Sequence, residues 1–334
     1  DKTAFLEEAF ARGLRLEEMI AAAAAAWGTG VTLNIAHRGA RSLAPENTLS
    51  AARQALELGA HMWELDVAVS ADGTLFVFHD FSLARTSNAQ QIFPDRAPWI
   101  YANFTLAELE KLDYGSWYVE TDPFGQIAAG AVTVGQAARY RGEVLLSLRR
   151  ALEYTREYNW RVNVEIKALP APLQDFPVAA AVVALIEKLQ VERHVLLSSF
   201  NYAVLRQVVA RNDAIAVAAL AGHPKDMPLQ GPPDVLSLTG YFPRYSMVTV
   251  QQIRALQAHG HTVMPWVVND AAEMSRLVDA GVSGIFTDFP QRLQPLLQPD
   301  CLTDCGFPAQ QRVAAKRDEC GINRAATDRQ RGRD

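Results

Sequence analysis

The sequence predicts an α/β fold, a (β/α)8 TIM barrel with a small insertion and an N-terminal helix. Three observations lead there. Short β-branched runs alternate with longer amphipathic ones, and a hairpin-length turn joins only one pair of runs. The series covers about 255 residues, close to the roughly 250 of such barrels. An open doubly wound sheet is the competing arrangement with the same alternation.

Residues 1–27 place Phe5, Leu6, Ala9, Phe10, Leu16, Met19 and Ile20 at helical spacing ahead of Gly28 and Gly30, so a helical extension is expected over 1–30. Strands are expected at 32–36, 62–69, 75–78, 162–166, 195–198, 215–220, 235–238, 262–268 and 284–287. The second and third are separated only by Ser70-Ala71-Asp72-Gly73-Thr74. Asp-Gly between alternating runs signals a hairpin, and a parallel crossover needs about a dozen residues or more. These two strands therefore pair antiparallel, which leaves eight parallel ones. A helix over 49–58, with Pro45 at its start and Leu49, Ala52 and Leu56 as its buried stripe, stops at Gly59. Residues 88–142 are too long for a plain loop and predict an excursion over one barrel face, with a short helix at 106–112. The barrel domain is expected over 31–298, and a loosely packed polar tail over 299–334.

Composition limits the function classes. Of 334 residues, 49% are hydrophobic and 21% charged, enough to bury a large core without lipid. A net charge of -5 gives no basic face to displace counterions, which argues against nucleic acid or an anionic membrane as partner. No run reaches the roughly 18 apolar residues of a transmembrane segment. Cys301, Cys305 and Cys320 all fall in the tail, an odd set unlike a disulfide framework. Localisation is left open: a cytoplasmic setting is favoured, and a periplasmic or secreted one follows if a signal peptide was removed before Asp1. Oligomeric state leaves no mark in the sequence.

The densest chemistry begins where the first strand ends, at His37-Arg38-Gly39 followed by Pro45-Glu46-Asn47-Thr48. Barrels of this kind carry their active sites at the C-terminal ends of the strands. In the second strand Glu64 and Asp66 are two residues apart and so share one side of the sheet. Two like charges in an apolar run call for a bound cation. Glu165 supplies a third carboxylate from the run Asn163-Val164-Glu165-Ile166-Lys167. An all-carboxylate set without cysteine selects one hard divalent cation, Mg²⁺ or Ca²⁺, over zinc. Lys167 is either a phosphate ligand or only the salt-bridge partner of Glu165.

The hairpin arm ends in Phe78-His79-Asp80 and brings a second imidazole to the same rim. His37 and His79 beside a cation, with Arg38 and Lys167 as fixed positive charges, suit cleavage of a phosphate diester: one imidazole takes a proton while the other gives one to the leaving alkoxide. His61, His194, His223, His259 and His261 fall outside this group and are expected to be structural or superficial.

These residues resemble a known family. His37-Arg38-Gly39, Pro45-Glu46-Asn47-Thr48, Gly59-Ala60, Glu64-Leu65-Asp66-Val67, Asp72-Gly73, His79-Asp80, Leu83 with Arg85-Thr86, Glu165-Ile166-Lys167, Trp266 with Asn269, and Thr287-Asp288 with Pro290 are similar, in order, to the signature of the glycerophosphodiester phosphodiesterases. The likeness runs from residue 34 to 290. It implies a TIM-barrel hydrolase that uses a divalent cation to convert a small-molecule glycerophosphodiester and water into an alcohol and sn-glycerol 3-phosphate. It further implies Glu64, Asp66 and Glu165 as metal ligands and His37 and His79 as the acid–base pair, with His79 near or on the metal in some members. Arg38 and Lys167 match phosphate-binding positions, Trp266 a wall of the glycerol pocket, and Glu46 and Asn47 supports of the first loop. Two departures stand out: His61 replaces the usual Asp of the Gly-Ala-Asp run, and Leu146-Ser147-Leu148 replaces Pro-Thr-Leu before a helix.

Two alternatives compete with this reading. One is a lysophospholipase D or sphingomyelinase D type activity, with an acyl channel lined by Trp99, Tyr101, Phe104, Tyr114 and Trp117 of the insertion, unless those rings only form the insertion's own core. The other is a silent barrel that binds polyol phosphates without turnover.

Overall fold

In the computed structural model, residues 31–223 and 238–297 are described, together with Glu8 and Glu18. The N-terminal helix and the tail expected from the sequence lie outside these residues, apart from Glu8 and Glu18, which are helical and exposed. The strands are β1 (Leu33–Ala36), β2 (Met62–Val69), β3 (Leu75–Val77), β4 (Val162–Ile166), β5 (Val195–Ser199), β6 (Ala216–Ala221), β7 (Gly240–Pro243), β8 (Thr262–Val263) and β9 (Gly284–Thr287). Eight are parallel in the order β8-β7-β6-β5-β4-β2-β1-β9, and β3 pairs antiparallel with β2 as the Asp-Gly turn predicts. Hydrogen bonds from Ser283 N to Val263 O, Phe286 N to Pro265 O and Val268 N to Phe286 O draw the two ends of the sheet together. The result is a nearly closed (β/α)8 barrel, not the open sheet.

Two strands depart from expectation. The seventh is Gly240–Pro243, whereas 235–238 falls outside the described residues except for Leu238, which is not in a strand. Gly and Pro at its ends disguise it as a loop. The sheet needs that glycine, because a Cβ there would collide with Thr262 Oγ1 and lie 2.6 Å from the Thr262 carbonyl oxygen. The run expected at 262–268 is regular only over Thr262–Val263. Pro265 has no N–H to continue a ladder, and Trp266 resumes pairing through a single bridge to Arg244.

Period-2 alternation sorts the side chains into two cores. Leu33, Ile35, Met62, Leu196, Ala218, Leu220, Phe242 and Phe286 fill the barrel interior. Trp63, Leu65, Val67, Val162, Val164, Ile166 and Leu197 point outward against the helices. Trp63 stacks on Trp160 with centroids 6.0 Å apart, and its indole N–H donates to Thr155 Oγ1 at 3.0 Å. The first helix is Leu49–Glu57, capped by the Thr48 hydroxyl, with Ala51, Ala52 and Ala55 as its buried face. Pro45 therefore lies in the turn before the helix, where its carbonyl accepts from Thr48 Oγ1 at 2.7 Å. Ser147 caps Leu148–Glu157 by accepting from Arg150 N, so Ser-for-Thr in that motif preserves the cap.

The insertion holds four short α-helices, Ala89–Ile92, Leu106–Leu109, Ser116–Thr121 and Val134–Tyr140; the one expected over 106–112 stops at Leu109. Tyr101, Phe104, Leu109 and Tyr114 pack on Phe76 and Phe78 of the hairpin. Tyr118, Val132 and Tyr140 pack on Leu43, Ala44 and Ala51. The rings proposed to line an acyl channel are thus the insertion's own packing.

Candidate active site

The outward set on β2 is Trp63, Leu65 and Val67, so Glu64 and Asp66 face the barrel interior with Met62. The same parity turns Asn163 and Glu165 inward on β4. Register then places Asp66 beside Glu165 and Glu64 beside Asn163. One oxygen from each of Glu64, Asp66 and Glu165 lies within 4.8 Å of the others, the three-carboxylate cluster anticipated from spacing. Burial and the neighbouring carboxylates push Glu64 well above its usual range and Glu165 up to about 7. Asp66 is held low: burial opposes ionisation, but the charges of Arg38 and Lys167 outweigh it. Asp66 Oδ1 is buried without a hydrogen-bond partner. A buried acceptor that makes no hydrogen bond, with only the Lys167 ammonium 3.5 Å away, among converging, mutually repelling oxygens fits one hard divalent cation.

The loop after β1 is built around two left-handed residues. Arg38 has φ 55° and Asn47 φ 58°, and a Cβ at Gly39 would lie 2.6 Å from Ala51 Cβ, which explains glycine there. This turn lets Arg38 N donate to Glu64 Oε2 at 2.8 Å, while Asn47 Nδ2 donates to Asp66 Oδ2 at 2.9 Å. Arg38 Nη1 donates to Glu46 Oε1 at 2.9 Å, and its Nε lies 3.4 Å from Asp66 Oδ2. Glu46 and Asn47 are buried supports of the acidic cluster and of Arg38.

Each histidine of the pair is backed by a carboxylate. His37 Nδ1 is 2.6 Å from Asp288 Oδ1, and His37 Nε2 is 4.0 Å from Glu64 Oε2. Burial, with the Arg38 charge, lowers the His37 pKa. Asp288 sits at about 2: burial opposes its charge, but the hydrogen bond with His37 and the nearby charges prevail. A neutral imidazole whose Nδ1–H faces a carboxylate keeps Nε2 as an acceptor. His79 Nδ1 is likewise 2.6 Å from Asp80 Oδ1.

Lys167, one residue past β4, donates from Nζ to the His79 carbonyl at 3.1 Å and lies 3.5 Å from Asp66 Oδ1. From that rim position its ion pair is with Asp66 on the neighbouring strand, and the partnership with Glu165 is not formed. Trp266 donates from its indole to Phe242 O at 2.7 Å and meets Phe200 edge to face with centroids 5.6 Å apart. His37, Arg38, Glu64, His79, Glu165, Lys167 and Trp266 all border one cavity of about 790 Å³, with Phe81, Phe200 and Leu220 among its apolar walls. None of the insertion rings borders it. The remaining histidines stand apart; His61 Nδ1 accepts from Asn34 N at 2.9 Å, and burial lowers its pKa to about 4.

Sequence reasoning gave no role to Asp80, Asp288, Arg41 or Arg85. Asp288 had a usable signal in its place alone: a charged residue one position past a barrel strand, at the rim where His37 also follows its own strand. Asn269 also becomes intelligible, since its Nδ2 donates to Asp288 Oδ2 at 2.7 Å.

The fold and rim together define a (β/α)8 barrel whose mouth carries an acidic cluster fit for a cation. Residues 37–292 match the Glycerophosphoryl diester phosphodiesterase family, and the chain belongs to that family. It is 31% identical over 272 residues to the glycerophosphodiester phosphodiesterase of Caldanaerobacter subterraneus subsp. tengcongensis, covering 80% of this chain and 98% of that protein. It is 33% identical over 270 residues to the enzyme of that name from Bacillus altitudinis, covering 78% and 96%. A phosphodiesterase of Oleispira antarctica, solved in complex with the product sn-glycerol-3-phosphate, superposes with a TM-score of 0.62 at 28% identity, covering 82% of this chain and 99% of that one.

Proposed function

We propose that the protein hydrolyses glycerophosphodiesters to an alcohol and sn-glycerol 3-phosphate, with His37 and His79 as the acid–base pair and Glu64, Asp66 and Glu165 as ligands of one divalent cation, Mg²⁺ or Ca²⁺. The observation that carries the reading is that both imidazoles, each with Nδ1 on a carboxylate, border the cavity that Glu64 and Glu165 of the acidic cluster also line. When bound, the cation supplies Lewis-acid neutralisation of the phosphoryl oxygens. Arg38 and Lys167 add fixed positive charge beside those oxygens. Fixing Nδ1 leaves Nε2 of each ring for proton transfer: one neutral ring accepts a proton from the attacking oxygen as its bond to phosphorus forms, and the other, already protonated, gives its own proton to the departing alkoxide as the P–O bond breaks. Trp266 and Phe200, in edge-to-face contact, supply aromatic wall to the cavity.

A product assay over glycerophosphocholine, glycerophosphoethanolamine and glycerophosphoinositol tests this, after chelation and with Mg²⁺ and Ca²⁺ restored separately. Glycerol 3-phosphate should appear only after restoration, and its absence from every substrate with either cation overturns the proposal. The exposed rings of Phe81 and Phe200 at the cavity favour one second reading, a phosphodiester that keeps an acyl chain. Faster turnover of lysophosphatidylcholine than of glycerophosphocholine would select it.

A further inference from the structure

His79 lies beyond the end of β3, where no ladder holds the backbone. Its ring depends on Asp80, which is itself only partly buried and needs restraint. Arg85 provides it. Its Nε donates to Asp80 Oδ2 at 2.6 Å and its Nη2 to Asp80 Oδ1 at 3.1 Å. The same guanidinium donates from Nη2 to Glu46 Oε1 at 2.6 Å and from Nη1 to Glu46 Oε2 at 3.1 Å. A planar fork can bridge two carboxylates in this way, whereas a single ammonium cannot.

The buried Glu46 also takes Arg41 Nη2 at 2.7 Å, and Arg41 Nη1 is 3.5 Å from Asp288 Oδ1, the partner of His37. An unbroken run of charged contacts therefore joins the two imidazoles: His79, Asp80, Arg85, Glu46, Arg41, Asp288, His37. The insertion covers its outer side. Arg85 lies over the Trp117 ring at 5.9 Å and Arg41 over Phe124 at 5.2 Å, and the Tyr118 hydroxyl donates to Ser42 O at 2.6 Å.

We propose that Arg85 is a positioning residue: it locks Asp80, and through Asp80 the tautomer and tilt of the His79 ring, onto the buried anchor Glu46, with the insertion keeping the guanidinium in place. The inference rests on the acid–base role proposed above for His79. Arg85 touches neither the acidic cluster nor the cavity wall, so its loss should spare cation and substrate binding. Its side chain is 42% exposed, so the fold should tolerate its removal.

The test uses Arg85→Ala and Arg85→Lys in the full chain. Both should lower kcat by about 10- to 100-fold, with KM and the half-saturating cation concentration within about twofold of wild type. In proton NMR the downfield Nδ1–H resonance of His79, assigned by its loss in Asp80→Asn, should vanish in Arg85→Ala. Wild-type kcat in Arg85→Lys overturns the proposal, because charge alone would then suffice; a loss confined to KM, or persistence of the resonance in Arg85→Ala, also overturns it. The resonance is read without turnover. A wild-type protein that cleaves no glycerophosphodiester therefore sinks the proposed function, while a persisting resonance sinks this inference.

Discussion

Nδ1 of His37 lies 2.6 Å from Oδ1 of Asp288, a carboxylate 251 residues further along the chain and held from behind by Asn269. β1 and β9 are neighbours in the barrel, so residues distant in sequence emerge side by side at the rim. In the proposed function, the pair fixes which ring nitrogen of His37 is left for proton transfer. In Asp288→Asn the amide can donate to Nδ1 and move the ring proton to Nε2, the wrong tautomer for a base. We expect kcat to fall roughly 10²- to 10⁴-fold with KM little changed, read by steady-state kinetics.

Cation binding should depend on pH with a defined sign. Glu165 sits at about 7 without a cation, pushed up by burial and by the Asp66 charge, and Glu64 is raised as well. Cation binding needs both carboxylates ionised, so affinity should weaken as pH falls below about 7. Calorimetry in buffers of different ionisation enthalpy should detect proton release on binding near neutral pH. For the cation-free protein the linkage runs the other way. A carboxylate raised in the folded state stabilises below its unfolded pKa, and that stability is lost as pH rises through about 7; added Mg²⁺ or Ca²⁺ should restore the melting temperature.

His61 should make the fold acid-sensitive. Its neutral ring accepts from Asn34 N, and burial lowers its pKa to about 4. A depressed pKa gives stability that is full above the unfolded value near 6.5 and lost as pH falls toward about 4, at most about 3 kcal/mol. Urea titrations at pH 8 and pH 5 should register that loss in wild type, and the difference should shrink in His61→Asn.

The insertion should contribute to stability through Tyr118. Its fully buried hydroxyl donates to Ser42 O at 2.6 Å, so Tyr118→Phe leaves a buried carbonyl unpaired. A loss of about 1–3 kcal/mol in denaturant unfolding is expected.

Phe200 and Trp266 should act on binding alone. Phe200→Ala removes the edge-to-face contact and one wall of the cavity, while every residue of the acid–base set keeps its partners. KM for a glycerophosphodiester should rise several-fold with kcat preserved.

The inward-facing carboxylates and the hairpin were legible from the sequence because both depend on local rules. Side-chain parity along β2 and β4 follows from spacing alone, and Asp72-Gly73 marks its own turn. The seventh strand was not legible: Gly240 is there because Thr262 crowds it, a neighbour that enters only through tertiary pairing. The carboxylates behind the two histidines divide along the same line. Asp80 follows His79 directly and could have been suspected, whereas the link from Asp288 to His37 exists only when the barrel closes. Burial of the insertion's rings against the hairpin is also a tertiary fact, which composition could not separate from a channel lining.

The rim is divided along the chain. Apart from Asp288 and Asn269, which holds it, each residue given an acid–base, cation-binding, phosphate-neutralising or positioning part lies between His37 and Lys167, in the segments running from β1 to just past β4. Among the described residues, the walls from Ser199 onward carry no charged side chain into the cavity. In the function proposed above, chemistry and the Phe200–Trp266 wall thus come largely from separate stretches of one polypeptide. The loop that follows β5, which brings Phe200 to the cavity, could be exchanged for that of another barrel to alter the preferred alcohol, leaving the residues from His37 to Lys167 intact.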